Sequence, residues 1–156
     1  MMDNDLQYVG FWKRTLAVVL DTLIIISITL PIFIWVYGLE DYFSDERVPK
    51  GSFDFMMNYV FPAITAIVLW KYYQATPGKM IFKATIVDEK TGGKPSLGQL
   101  IIRYLGYFVS LGPLGLGYFW VAFDKKKQGF HDKLANTVVV QRKVIQPEPV
   151  EFETEK

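Results

Sequence analysis

Apolar residues fall in three long blocks along this chain, with polar stretches between them. The first block runs T-L-A-V-V-L-D-T-L-I-I-I-S-I-T-L-P-I-F-I-W-V-Y, from Thr15 to Tyr37, directly after Lys13-Arg14. The second runs from Phe55 to Tyr73 and ends in the belt Trp70-Lys71-Tyr72-Tyr73. A run of about 20 apolar residues crosses the hydrocarbon core as a helix. Both blocks therefore read as transmembrane helices, over about 15–37 and 55–73. Pro31 and Pro62 lie inside them, and each is expected to disturb its helix. The third block, 97–123, opens on a capping box, Ser96-Leu97-Gly98-Gln99. Gly112-Pro113-Leu114-Gly115-Leu116-Gly117 interrupts it, which predicts two helical pieces, Leu97 to Leu111 and Leu116 to Phe123. Gly106 and Ser110 form a small-x-x-x-small pair in the first piece, a weak helix-packing signal.

The polar stretches carry their own patterns. Gly38 to Asp54 is a loop with five acidic residues, broken by Pro49 and Gly51; it lacks the D-x-D-x-D-G spacing of a calcium loop. Thr76-Pro77-Gly78-Lys79 marks a turn. It is not a phosphate loop, because no glycine precedes it at the required spacing and Met80 stands where Ser or Thr is needed. Lys83 to Asp88 alternates and is rich in β-formers, so it reads as a short strand followed by a Gly92-Gly93 turn. Thr137-Val138-Val139-Val140 reads as a second strand, able to pair with Ala84 to Val87 in a small sheet beside the membrane. From Gln146 the chain is acidic and proline-bearing, and is expected to be a disordered tail.

The fold expected is an all-α membrane protein. It has two clear transmembrane helices, a third Gly/Pro-broken membrane segment that spans or re-enters, and a small cytoplasmic β-hairpin or sheet. Its parts are a polar N-terminal segment (1–9), a membrane domain (10–143) and the acidic tail (144–156).

Composition narrows the chemistry. The chain has 156 residues, 51% of them hydrophobic, with 12 Phe, 9 Tyr and 4 Trp, an aromatic load of the kind that gathers at membrane interfaces. It has no cysteine and one histidine, His131, which excludes disulfides, thiolate zinc sites and any site with two histidine ligands. The polar, acidic Met1 to Val9 and the long first block do not make a cleavable signal peptide. No cofactor is implied.

Net charge is only +1, yet its distribution sets an orientation. Two Lys/Arg stand in Gly38–Asp54, five in Lys71–Pro95 and six in Asp124–Lys143. The positive-inside rule places the N-terminus and Lys71–Pro95 in the cytoplasm and the acidic loop outside. It also asks for Asp124–Lys143 inside, which a full third span forbids and a returning segment permits. Lys125, Lys126 and Lys127 suit anionic lipid headgroups. Nucleic-acid binding is not indicated without a basic domain.

Asp21 is the exception inside the first block. A carboxylate at that depth costs about 3 kcal/mol on insertion scales, so it marks an interhelical or functional site. Arg14, Ala17 and Asp21 stand at i, i+3 and i+7 and share one helix face. Three roles are open to Asp21: a structural pair with Arg103 or with hydroxyls such as Thr22 and Tyr104, a proton or cation carrier, and a receiver of charge from another subunit.

Taken together, Lys13-Arg14-x-x-Ala17-x-x-x-Asp21, Thr76-Pro77-Gly78-Lys79, Pro95-Ser96 with Arg103, and Gly129-Phe130-His131-Asp132-x-x-Ala135-x-Thr137-Val138-Val139-Val140 resemble the RDD family of small, mostly prokaryotic integral membrane proteins. The resemblance covers about Gly10 to Arg142 and lies in the order and spacing of the pieces. The family is named for one arginine and two aspartates. Arg14 and Asp21 match two of these; Asp132 is the choice for the third, with Asp124 the other candidate. The resemblance implies a multi-pass protein of the prokaryotic cell membrane, and some members have been proposed as cation/proton antiporters.

Two functions fit these features. One is an oligomeric cation or proton transporter built from copies of this chain. The other is a non-transporting accessory or scaffold protein that docks a partner on its cytoplasmic face. An enzyme is not expected: one His cannot build a metal-dependent phosphohydrolase, one intramembrane Asp cannot build an aspartyl protease, and no nucleophile motif surrounds Ser27 or Ser110.

Overall fold

A computed structural model describes residues 5–39, 51–112 and 114–143. Most of the acidic loop, residues 1–4, Pro113 and the tail 144–156 lie outside the described residues. The first stretch long and apolar enough to cross a membrane is α1 (Phe11–Tyr37), one continuous helix through Pro31. It starts four residues before the apolar block and so takes Lys13 and Arg14 into its first turn. The second stretch long and apolar enough to cross a membrane is Ser52–Ile81. It comprises α2 (Ser52–Phe55), a π-helical turn Met56–Val60, α3 (Phe61–Tyr73) and α4 (Pro77–Ile81). The π turn stands directly ahead of Pro62, with the Phe61 N–H bonded to the Met56 carbonyl five residues back. Proline has no N–H to give and its ring crowds the carbonyl four residues earlier. A wider turn at that point relieves the crowding.

The third block is two helices, α5 (Leu97–Leu111) and α6 (Leu116–Phe123), standing at 102° to one another. Ser96 and Gln99 form the reciprocal capping box that opens α5: the Ser96 hydroxyl accepts from Gln99 N–H at 3.3 Å and the Gln99 side chain accepts from Ser96 N–H at 2.9 Å. The fold at α6 allows no side chain at Gly117, where a β-carbon would sit 2.5 Å from Ser110 Cα.

A three-stranded antiparallel sheet completes the fold, in the order β1 (Leu6–Tyr8), β3 (Thr137–Arg142), β2 (Thr85–Asp88). The pairing expected between the two strand segments is present, running from Thr85 opposite Val140 to Asp88 opposite Thr137. The third strand comes from the N-terminal segment, with Tyr8 opposite Val140. A short helix, α7 (Phe130–Leu134), lies between α6 and β3. It packs on α5 where a β-carbon at Gly106 would stand 2.8 Å from His131 Cα.

The core sits where sheet and helices meet. Val9, Ile86 and Val139 from the sheet side bury against Trp70, Ala84 and Leu100. By contrast, α1 outside its first turns buries little: Arg14, Ala17 and Phe33 are its buried residues. The two stretches long and apolar enough to cross a membrane thus expose their apolar sides, and the organised interior lies at one end of them.

Candidate functional site: a buried arginine–aspartate cluster

Asp132 is fully buried at the centre of that end. It stands at the third position of α7, where its Oδ2 accepts from Gly129 N–H at 2.9 Å and so caps the helix. The Arg14 Nη1 of α1 donates to the same oxygen, and the Arg103 Nη1 of α5 donates to Oδ1. One carboxylate therefore joins three helices. Arg14 Nε also donates to the Val9 carbonyl at 3.0 Å, and Arg103 Nη1 to Thr137 Oγ1 at 2.7 Å, which ties in the sheet at β1 and β3. Arg103 reaches inward because α5 turns Leu100, Arg103, Gly106 and Ser110 to one buried face.

Burial alone pushes the Asp132 carboxyl up, but the Arg103 and Arg14 guanidiniums outweigh it and hold the group well below the usual carboxylate range. Beside it, burial pushes the His131 imidazole down to about 3, against the pull of Asp132, so the ring is neutral near pH 7. His131 stacks on Tyr107 at 4.2 Å between centroids. Its Nδ1 lies 3.2 Å from Ser110 Oγ and its Nε2 lies 3.6 Å from Asp132 Oδ2. The sequence offered no motif joining Ser110 to His131, yet the fold brings them together. Ser110 is 0% exposed, its hydroxyl donates to the Gly106 carbonyl, and its oxygen accepts from His131 N–H. It is occupied as a packing and hydrogen-bonding residue.

Among the described residues Asp21 pairs with neither Arg103 nor Arg14, so of the structural partners open to it the Arg103 pair is not formed; Arg103 is committed to Asp132. Instead Asp21 reaches the turn after α3. Its Oδ2 accepts from the Thr76 hydroxyl at 2.5 Å and its Oδ1 from Gly78 N–H at 2.7 Å, at the start of α4. Thr22, offered as another partner, returns its hydroxyl to the Val18 carbonyl of its own helix. Gly78 is obligatory, since a β-carbon there would stand 2.1 Å from the Ala17 carbonyl oxygen. The shared face of Arg14, Ala17 and Asp21 is turned to the rest of the protein: Arg14 meets Asp132, Ala17 meets Gly78, and Asp21 caps α4.

Lys79, one residue on, is buried beside the Trp70 ring, its Nζ 5.7 Å from the centroid. Its local sequence conceals this, because a lysine after a turn reads as solvated, and Pro77 after Thr76 signals only the start of a helix. Of the three lysines assigned to headgroups, Lys126 pairs with Glu89 at 2.7 Å and Lys127 donates to the Ala122 carbonyl at 3.0 Å; Lys125 is exposed. Asp124 accepts from Lys126 and Gln128 N–H groups and pairs with Lys133 at 2.5 Å, outside the buried cluster. No group of three or more His, Asp or Glu among the described residues could hold a metal ion.

Such an arrangement, apolar helices long enough to cross a membrane held to a small sheet by a buried Arg–Asp–Arg cluster, defines a helical membrane protein. The model of the RDD family matches residues 8–136, and the chain belongs to that family. It is 31% identical to the uncharacterized membrane protein YteJ of Bacillus subtilis over 144 residues, 88% of this chain and 83% of that protein. It is 29% identical to the uncharacterized protein YxaI of the same organism, over 85% of this chain and 97% of that one. An uncharacterized protein of Rickettsia prowazekii is 40% identical over 75 residues, 48% of this chain and 41% of its own length. No solved structure matches the chain.

Proposed function

We propose that this chain is a non-transporting accessory protein of the prokaryotic cell membrane, which presents a rigid sheet to a protein partner on the cytoplasmic side. The observation that carries the reading is the pairing of β1, β2 and β3 in one sheet. β1 precedes the first span, β2 follows the second, and β3 follows the α5–α6 pair. A hydrogen-bonded sheet cannot straddle a bilayer, so all three strands share one side and the third segment returns to the side it left. The charge distribution favours the cytoplasm for that side. The charged residues support a structural role as well. Both Asp132 oxygens and both Asp21 oxygens are engaged by the protein, whereas a carrier carboxylate must exchange its partner. On the sheet's outer face, Lys83, Lys94 and Arg142 line a groove of about 640 Å³ with Val87 and Val140, a surface for docking.

The chain has no cysteine, so single cysteines report topology directly. A membrane-impermeant maleimide should label Gln7→Cys and Lys125→Cys from the same side of sealed vesicles, and Phe53→Cys from the other. Labelling of Gln7→Cys and Lys125→Cys from opposite sides would overturn the topology. Cation or proton flux in proteoliposomes, present in the wild type and lost in Asp21→Asn, would replace the accessory reading with transport.

A further inference from the structure

The cluster around Asp132 does not balance its charge. Arg14, Lys79 and Arg103 are each 8% exposed or less, and among the described residues the cluster offers them one carboxylate, Asp132. Lys79 has no carboxylate at ion-pair distance among the described residues, and His131 supplies no negative charge. Burying a charge without a counter-charge is strongly unfavourable, far more so than burying a paired one.

The spare hydrogen-bonding capacity points the same way. Arg14 Nη2, Arg103 Nε and Trp70 Nε1 are buried atoms without a protein partner. All three are donors, and so is the Lys79 ammonium. Two of the cations lie over the Trp70 ring: Arg103 Cζ is 5.5 Å from its centroid and Lys79 Nζ 5.7 Å from it. Arg14 joins them through the shared carboxylate and through α1, where Ala17, one turn on, touches Gly78 beside Lys79. A set of donors with surplus positive charge, beside which the neutral Tyr107 hydroxyl is a further acceptor, calls for an acceptor-only, negatively charged ligand. Several donors from separate elements suit an oxyanion with several oxygens better than a single carboxylate. The place fits too. Arg14 lies in the first turn of α1 and Trp70 in the last turn of α3, next to Lys71, Tyr72 and Tyr73, which is the level of lipid headgroups.

We propose that Arg14, Lys79, Arg103 and Trp70 form a binding site for a phosphate-type oxyanion, supplied by a lipid headgroup or by free phosphate. The site stands apart from the proposed docking function and does not depend on it. Lys79 is the residue to vary, because it makes no ion pair that holds the fold.

The test uses the full chain, purified in a neutral detergent and freed of co-purified lipid. Its thermal unfolding is followed while inorganic phosphate, phosphatidylglycerol or phosphatidylcholine is titrated in, with sodium chloride at matched ionic strength as control. A saturable rise in Tm with phosphatidylglycerol but not phosphatidylcholine identifies a headgroup as the source. A saturable rise with inorganic phosphate identifies the free anion. In either case Lys79→Met should weaken binding by about tenfold or more, the equivalent of one buried charged contact, while Lys79→Arg retains it. The inference is overturned if neither titration saturates in the wild type, or if Lys79→Met binds as the wild type does. Should Lys79→Met fail to fold, the wild-type titrations and Lys79→Arg still decide the matter.

Discussion

The Arg14 guanidinium and the Asp132 carboxylate stand 118 residues apart in the chain and share one buried ion pair, with Arg103 on the carboxylate's other oxygen. Two cations thus depend on one fully buried anion. Asp132→Asn keeps the shape and removes the charge. It should destabilise the detergent-solubilised protein by about 3–5 kcal/mol, the cost of stranding a buried charge. Chemical unfolding measures this directly, and a loss below about 1 kcal/mol, the scale of an exposed pair, would show that the cluster is hydrated.

Gly78 and Ala17 set a second requirement. The α4 backbone passes so close to α1 that any β-carbon at position 78 meets the Ala17 carbonyl. Gly78→Ala should therefore push α4 away, break the Gly78–Asp21 hydrogen bond, and cost about 1–3 kcal/mol or more. Gly93→Ala is the comparison, because a β-carbon there meets only the Thr91 hydroxyl oxygen at 3.4 Å. Equal effects of the two substitutions on Tm would mean that the α1–α4 contact is loose.

Acid should act through His131 before it acts through Asp132. The folded pKa of His131 is depressed, to about 3, from an ordinary value of 6.5. Between those values the unfolded chain binds a proton that the folded one does not, so stability falls as pH drops through that window. The slope for one such proton approaches about 1.4 kcal/mol per pH unit. Asp132, also depressed in the fold, adds its own loss only below its ordinary 3.8. Wild-type Tm should thus decline from pH 6.5 toward pH 4, and His131→Gln should flatten the decline. An unchanged pH profile in His131→Gln would mean that other groups carry it.

What the sequence reveals and what it hides divide along physical lines. Apolar run length announces the two long apolar helices, Ser96 and Gln99 announce the start of α5 through a cap made within four residues, alternation announces β2, and a run of β-branched residues announces β3. Each signal is local. β1 is three residues, Leu6-Gln7-Tyr8, too short to show a period, and it becomes a strand because β3 offers it an edge. α7 is five residues long and exists because Asp132 caps it and Gly106 lets it approach α5. The face of Arg14, Ala17 and Asp21 follows from helical spacing alone, but its partners do not. Asp21 meets Thr76 across 55 residues and Arg103 meets Asp132 across 29, and charge complementarity by itself does not choose between two aspartates for one arginine.

Asp132, not Asp21, is the carboxylate that holds Arg103. Two double-mutant cycles on unfolding free energy compare the pairs directly: Arg103→Gln with Asp132→Asn, and Arg103→Gln with Asp21→Asn. The first should show a coupling of about 1 kcal/mol or more, and the second should be additive within about 0.5 kcal/mol. Coupling between Arg103 and Asp21, with additivity between Arg103 and Asp132, would mean that Asp21 holds Arg103 instead.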